Sequence, residues 1–283
     1  MHKPVTIYSP DSLLRHPITL TREMFSSLWA GRELAWRLMI RNISVMYRQT
    51  MLGYIWAFLP PIVAAATFII LHKSGLFQVA DTGIPYPAWV LFGTFLWQTF
   101  ADALNNPMRQ VSQAKQMLTK INFPREALIL AGIGETVFNF FIRLVILIPV
   151  FFYFGLSIHL PGFLLFPLPL ISLILIGTMV GVLLTPAAVL YQDIEKGIPL
   201  LLPFLMLFSG AVVPIAPQGI GRTIATFNPI LPLLETTRAL MTGQPAEMWV
   251  STIVITAVST LLLFIGWILY RVAMPHLIAR LGG

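Results

Sequence analysis

The alternation of hydrophobic and polar positions changes character most sharply between residues 37 and 61 (RLMIRNISVMYRQTMLGYIWAFLPP). Arg37, Arg41, Ser44 and Arg48 recur at steps of four, three and four, so on a helix they form one polar stripe. Trp36, Ile40, Ile43 and Tyr47 recur at the same steps and form an apolar stripe beside it. A helix of this kind lies in a membrane interface, with rings and aliphatic groups toward hydrocarbon and guanidiniums among headgroup phosphates. From Tyr54 the charges stop until Lys73, and the run between is predominantly apolar.

The same pattern divides the rest of the chain. Residues 1–20 contain Pro4, Pro10 and Pro17, which oppose a long helix, and no apolar core of the kind a signal peptide has. Thr21 is the expected N-cap of the interfacial helix, placed at 22–50, with Gly31 as its one weak point. Six membrane helices are predicted, at about 52–71, 86–105, 124–154, 163–191, 198–213 and 248–270. Pro60 and Pro61 fall inside the first as a kink. Between Arg143 and Asp193 lie 49 uncharged residues. That is roughly 74 Å of helix against a ~30 Å hydrocarbon core, so SIHLPG (157–162) must break it. QDIEKG (192–197) reads as a small loop. Between the fifth and sixth helices, Pro214, Pro217, Gly219, Gly221, Pro229 and Pro232 interrupt a stretch that stays apolar. Two segments within 214–247, GIGRTIATFNPI and LPLLETTRALMTG, are each too short to cross. Two short re-entrant helices fit them, and so does a long loop with a surface helix. Glu135 and Arg143 sit eight residues apart inside the third membrane helix, roughly 12 Å along its axis. They therefore need partners on other helices, and Asp102 is a candidate for Arg143.

Composition agrees with this architecture. The chain is 57% hydrophobic and only 10% charged over 283 residues, with a mean hydropathy of +0.82. Soluble domains carry about 25% charge, so this one has too little polar material to cover a soluble surface. It reads as a single all-α membrane domain spanning 1–283. With both termini cytoplasmic, fourteen Lys and Arg fall on inner segments and three (Lys73, Arg222, Arg238) on outer ones. That bias sets N and C inside, and it assigns the net charge of +7 to topology rather than to nucleic acid. There is no cysteine. No G-x-x-x-x-G-K-[ST] or H-E-x-x-H occurs and the five histidines are scattered, so neither ATP binding in this chain, metal binding nor enzymatic activity is expected.

Four segments, in order, carry a resemblance to the permease subunits of ABC type-2 exporters of O-antigen, capsular polysaccharide and teichoic acid. They are Arg32-Glu33-Leu34 followed by Tyr47-Arg48-Gln49-Thr50-Met51-Leu52-Gly53-Tyr54-Ile55-Trp56-Ala57 and Pro60-Pro61; Lys120-Ile121-Asn122-Phe123-Pro124-Arg125-Glu126; Tyr191-Gln192-Asp193-Ile194; and Asn228-Pro229 with Arg238 downstream. In the third, Gln192 stands where the family usually has Arg. The resemblance implies a homodimer in the bacterial inner membrane, docked on two copies of a separate ATPase subunit that holds ATP and Mg. It implies a cytoplasmic coupling helix at 109–123, a gate helix at 22–50 and a periplasmic gate at 214–247. The implied cargo is a glycan on undecaprenyl pyrophosphate or another lipid. A drug or lipid exporter of the same superfamily and a membrane-embedded glycan-lipid transferase are the alternatives.

Candidate residues follow from that frame. Arg37, Arg41 and Arg48 match either the phosphates of a lipid-linked glycan or anionic membrane lipid. Tyr47, Tyr54 and Phe58 fall on one helix face and, with Trp89, Phe92 and Phe100, fit either an aromatic conduit for sugar C–H faces or ordinary packing and interfacial belts. Gln110, Lys115, Lys120 and Phe123 are the expected contacts to the ATPase subunit.

Overall fold

The computed structural model describes residues 17–48, 55–56, 59–76, 82–121, 123–156, 159–215 and 220–282, and all regular structure among them is helical. The first helix, α1 (Pro17–Arg48), is continuous. It starts a turn before Thr21, because Pro17 occupies the first turn, where its missing N–H has no intrahelical partner to lose. Gly31 does not break it. A Cβ there would stand 3.3 Å from the Ala127 Cβ, so glycine marks the point of closest approach to α5 (Glu126–Tyr153). Further along, Met39 meets Gly134, and Ile43 packs with Phe138 and Ile142. Partners advance together on both helices, so α1 runs parallel to the first half of α5.

Helix α2 (Leu59–Lys73) holds Pro60 and Pro61 in its first turn, where proline is tolerated, instead of as the expected kink. The start of the predicted first membrane helix lies outside the described residues. Helix α3 (Tyr86–Gln113) continues eight residues past its predicted end, with Pro107 inside it. The polar residues that suggested an end are instead bonded: Asn105 Nδ2 donates to the Ala101 carbonyl at 2.9 Å, and Asn106 Nδ2 to that of Gly132 at 3.1 Å. After a break at Ala114 comes α4 (Lys115–Lys120), so the expected 109–123 helix is divided between the last turn of α3 and this short element.

Helices α6 (Leu160–Leu165) and α7 (Pro167–Leu190) follow α5. Only Tyr191, in an extended conformation, separates α7 from α8 (Gln192–Leu207). QDIEKG is therefore the first turn and a half of a helix and not a loop, with Asp193 and Glu195 near its N-terminus, where negative charge suits the helix dipole. Two short helices, α9 (Ile220–Phe227) and α10 (Ile230–Thr242), precede α11 (Trp249–Gly282). Gly243, at φ 71°, closes α10 in the left-handed conformation that glycine adopts without strain.

Three stretches among the described residues are long and apolar enough to cross a membrane: Glu126–Tyr153, Leu160–Leu190 and Trp249–Arg280. Leu59–Lys73 is apolar but shorter. At the centre stands α3, whose Trp89, Phe92, Phe95, Leu96, Trp97 and Phe100 pack with Leu173 and Ile176 of α7 and with Leu233 and Leu234 of α10. Gly177 and Gly181 of α7, one turn apart, lie against Phe100, Ala103, Leu104 and Pro107 of α3. Small residues at this spacing let two helix backbones approach closely within a membrane. Helix α11 runs beside α7, with Ser172 Oγ and Thr256 Oγ1 2.6 Å apart and Gly266 against Leu183. At one end of the bundle, Arg271 of α11 reaches Glu126 of α5 at 3.0 Å and Glu23 of α1 at 3.2 Å.

The Gly181 notch is directly testable. A Cβ at Gly181 would collide with the Leu104 carbonyl, whereas one at Gly197 on α8 meets nothing within 4 Å. Gly181→Ala should cost about 2 kcal/mol, and Gly197→Ala should be neutral or gain up to about 1 kcal/mol. Thermal unfolding of the purified protein in detergent measures both.

Candidate functional site

The antiparallel pair α3 and α5 carries two matching polar stripes. On α3 they are Gln98, Asp102, Asn106, Arg109 and Gln110; on α5, Gly132, Glu135, Thr136, Asn139 and Arg143. Each recurs at three- and four-residue steps, so each occupies one helix face. Facing one another inside an apolar bundle, they satisfy groups that would otherwise be costly to bury.

Three layers result. In the first, Asn106 Nδ2 donates to Thr136 Oγ1 at 2.8 Å. In the second, Arg143 Nη2 meets Asp102 Oδ2 at 2.6 Å, Gln98 Nε2 donates to Asp102 Oδ1 at 3.1 Å, and Arg143 Nη1 to Thr99 Oγ1 at 3.4 Å. The third layer joins three helices. Arg109 Nη2 donates to Glu135 Oε1 and, at 2.8 Å, to Asn106 Oδ1. Gln110 Nε2 donates to Glu135 Oε2 at 2.8 Å. The Gln110 Oε1 in turn accepts from Asn42 Nδ2 of α1 at 2.7 Å. Arg41 folds its guanidinium onto Asn42 Oδ1 at 3.0 and 3.2 Å. Glu135 is only 1% exposed, and the Arg109 side chain 33%.

Beside this third layer a cleft of about 390 Å³ opens between α1 and α3, lined by Arg41, Asn42, Val45, Met46, Arg109, Gln113 and Glu135. Its volume is in the range of small-molecule sites. Two guanidiniums against one carboxylate leave it one net positive charge, which favours an anion over a cation there. It lies nine residues into α5 from Glu126, roughly 14 Å along the axis. Among the described residues, no group of three or more His, Cys, Asp or Glu gathers in a metal-binding arrangement.

The structure brings together some of the residues the sequence singled out and separates others. Arg41 lines the cleft, whereas Arg37 points to solvent and pairs with Glu33 at 2.7 Å. Arg48 and Tyr47 lie in the last turn of α1, with side chains outside the described residues, and Tyr54 and Phe58 also fall outside them. Trp89, Phe92 and Phe100 are buried in the core of the chain and pack the bundle in this conformation. Gln110 is likewise buried and committed to Asn42 and Glu135, so it presents no surface to another subunit here. Lys115, Lys120 and Phe123 lie at or next to α4. Lys120 and Phe123 border a second cleft of about 390 Å³ with Leu118, Thr119, Ile121, Arg125 and Pro275 of α11, and Ile121 is 58% exposed at its rim. Arg109, Asn42 and Glu135 escaped sequence reasoning as a site. The readable signal was the pair of polar stripes on adjacent apolar segments.

At the other end of the bundle, Arg238 of α10 is 2% exposed. It donates to the carbonyls of Gly210 (2.9 Å) and Ala211 (2.8 Å), pairs with Glu235 at 2.7 Å, and stacks 3.8 Å from the Trp89 ring centre. Tyr86 adds a bond to the Val212 carbonyl at 2.8 Å, and Asn228 one to the Phe208 carbonyl at 2.6 Å. Asn228 and Arg238 thus clasp the turn that follows α8.

Residues 33–242 match the family model described as ABC-2 type transporter. Similar proteins include an "O-antigen export system permease protein RfbA" from Klebsiella pneumoniae, 23% identical over 223 residues, covering 77% of this chain and 84% of the relative. One of the same name from Myxococcus xanthus is 21% identical over 253 residues, covering 87% and 93%.

Asp102→Ala and Arg143→Ala should each destabilise by about 3 kcal/mol, since either strands a buried charge, and the double variant should cost at least about 1 kcal/mol less than their sum. Arg238→Lys, which cannot span both carbonyls and the carboxylate, should cost about 2 kcal/mol. Thermal unfolding in detergent tests all four variants.

Proposed function

The chain belongs to the ABC-2 type transporter family, and from that premise we propose that it is the membrane subunit of an ATP-driven exporter of lipid-linked polysaccharide in the bacterial inner membrane. The family is of the permease type and not an ATPase, and it implies a separate ATPase partner. Similarity over most of the chain to permeases of O-antigen export carries the choice of cargo.

In this reading the exporter is a homodimer of six-crossing subunits with both termini cytoplasmic, bound to two ATPase subunits. The end of the bundle bearing α4 faces the cytoplasm. The ATPase subunit seats on α4, where Lys115 and Lys120 supply charge and the cleft rimmed by Ile121, Phe123 and Pro275 offers an apolar socket. Closure of the ATPase pair pushes α4, and α3 carries the push along the bundle as a rigid element. Helix α1 serves as the gate at the cytoplasmic entrance, its outward face bearing Phe25, Trp29, Trp36 and Ile40, all exposed and suited to an interface. Arg37, Arg41 and Arg48 draw the lipid phosphate toward the cleft. The α9–α10 pair, clasped through Arg238, forms the opposite gate as two re-entrant helices.

Co-expression with candidate ATPase subunits should yield a complex that hydrolyses ATP, and deleting the gene should leave lipid-linked glycan trapped inside the cell. Absence of any associating ATPase, or normal surface glycan in the deletion strain, refutes the proposal. Alanine at Arg37, Arg41 and Arg48 together should reduce surface glycan at least tenfold with assembly intact. Unchanged export would assign those arginines to lipid anchoring alone.

A further inference from the structure

The third polar layer is built as a chain of exchanges with every link identifiable. Glu135 is buried and uses one oxygen for Arg109 and the other for Gln110. Gln110 spends its own amide oxygen on Asn42, which ties α1 to α3. Arg109, less buried than its partner, faces the cleft and still has a buried Nε with no hydrogen-bond partner. Arg41 reaches the same cleft, bonded through its Nε and Nη2 to Asn42, a neutral acceptor that holds it more weakly than an anion does. Two guanidiniums with weak or spare bonding therefore stand beside an open space of about 390 Å³.

We infer that this cleft is an anion-exchange latch: a phosphoryl group on a lipid-linked ligand takes Arg109 from Glu135 and Arg41 from Asn42, and so loosens the Asn42–Gln110–Glu135 tie that holds α1 against α3. The lipid-linked nature of the ligand rests on the exporter reading; the exchange rests on the geometry alone. A phosphate offers the guanidinium two oxygens in bidentate geometry, and a pyrophosphate diester carries two negative charges against the carboxylate's one, so it competes well for Arg109; a phosphodiester competes with equal charge. Glu135 then keeps only Gln110. A buried carboxylate stripped of its cation is unstable in place. The relief is for α1 to move outward and admit water. Because α3 leads through Ala114 directly into α4, occupancy at the cleft is felt at the segment proposed to seat the ATPase. The coupling is reciprocal: an ATPase state that displaces α3 must change ligand affinity by the same factor.

The test uses the full chain with its ATPase subunit in phosphatidylcholine nanodiscs, titrated separately with undecaprenyl pyrophosphate and with phosphatidylglycerol. Glu135→Gln removes the competing charge and should tighten binding at least threefold while raising ligand-free ATP hydrolysis toward the stimulated rate. Arg109→Gln should weaken binding at least tenfold. Opposite signs for the two variants support exchange; equal signs, or no effect of Glu135→Gln, overturn it. A second measurement leaves the cleft intact. The chain has no cysteine, so spin labels placed by Ile40→Cys on α1 and Phe141→Cys on α5 are unique in each subunit. Their separation should grow on adding ligand, and an unchanged separation overturns the latch even where Glu135→Gln fails to assemble. If only phosphatidylglycerol gives these effects, the latch stands with a membrane headgroup as its ligand, and glycan trapping in the deletion strain decides the exporter reading separately. If neither lipid shifts the labels, the latch fails while glycan trapping in the deletion strain still decides the exporter reading.

Discussion

The pairing of polar side chains on α3 with those on α5 is the interaction on which the rest of the bundle depends. In an apolar surrounding a charge without a partner is expensive, so a charged residue in a membrane helix constrains its neighbours more than any leucine does. Asp102 must find Arg143, and Glu135 must find Arg109, which fixes how far α3 slides along α5 and which faces meet. Apolar packing alone would tolerate a shift by a turn; the ion pairs do not. Helix α1 joins this network at the third layer, through the Asn42–Gln110 bond, and its packing along α5 agrees with that height. Helix α7 then closes on a second face of α3, where glycines permit a depth of contact that larger residues would forbid.

Much of this was legible in the residues, and the misreadings share one cause. Apolar runs located α5 and α7 to within a few residues of their ends, because length and apolarity are local properties. The C-terminal end of α3 and the start of α8 were misplaced because Asp102, Asn105 and Asn106, or Gln192 and Asp193, look like the polar signals that stop a helix. In the structure the first group joins α3 to α5 or to its own backbone, and the second sits at a helix N-terminus. Polarity in a membrane helix reports a partner as often as a boundary, and a partner is a tertiary fact. Gln110 shows the same confusion at the site. As a residue in a basic stretch it read as surface, yet its amide is the buried joint between three helices. Arg41 could be seen as a phosphate ligand from its stripe alone; Arg109 could not, since its relation to Arg41 exists only once α1 lies along α5. The Gly177-x-x-x-Gly181 spacing is a signal of close helix contact that the hydrophobic pattern alone does not bring out.

The two ends of the bundle are fastened in different ways. Near Arg271 the ties are ion pairs between α1, α5 and α11, of 3.0–3.2 Å, with Arg271 itself partly exposed. The pair with exposed Glu23 weakens with salt, while the pair with buried Glu126 is screened less. Around Arg238 the guanidinium is fully enclosed and bonded to backbone carbonyls. The first kind of fastening can be exchanged for water or another ion, whereas the second cannot be undone without freeing a buried guanidinium.

The single residue between α7 and α8 gives that contrast a mechanical consequence. Tyr191 leaves no slack, so the lower end of α8 cannot move away from α7, and the turn beyond its upper end is gripped by Arg238 and Asn228. A rod held at both ends has one inexpensive motion left, which is bowing at its middle. Helix α8 has Pro199 and Pro203 there, each removing a backbone hydrogen bond, and its Leu200, Leu201, Phe204 and Leu205 are exposed. Bending, and not tilting, is thus the way this helix yields when pressure is applied from its outer face.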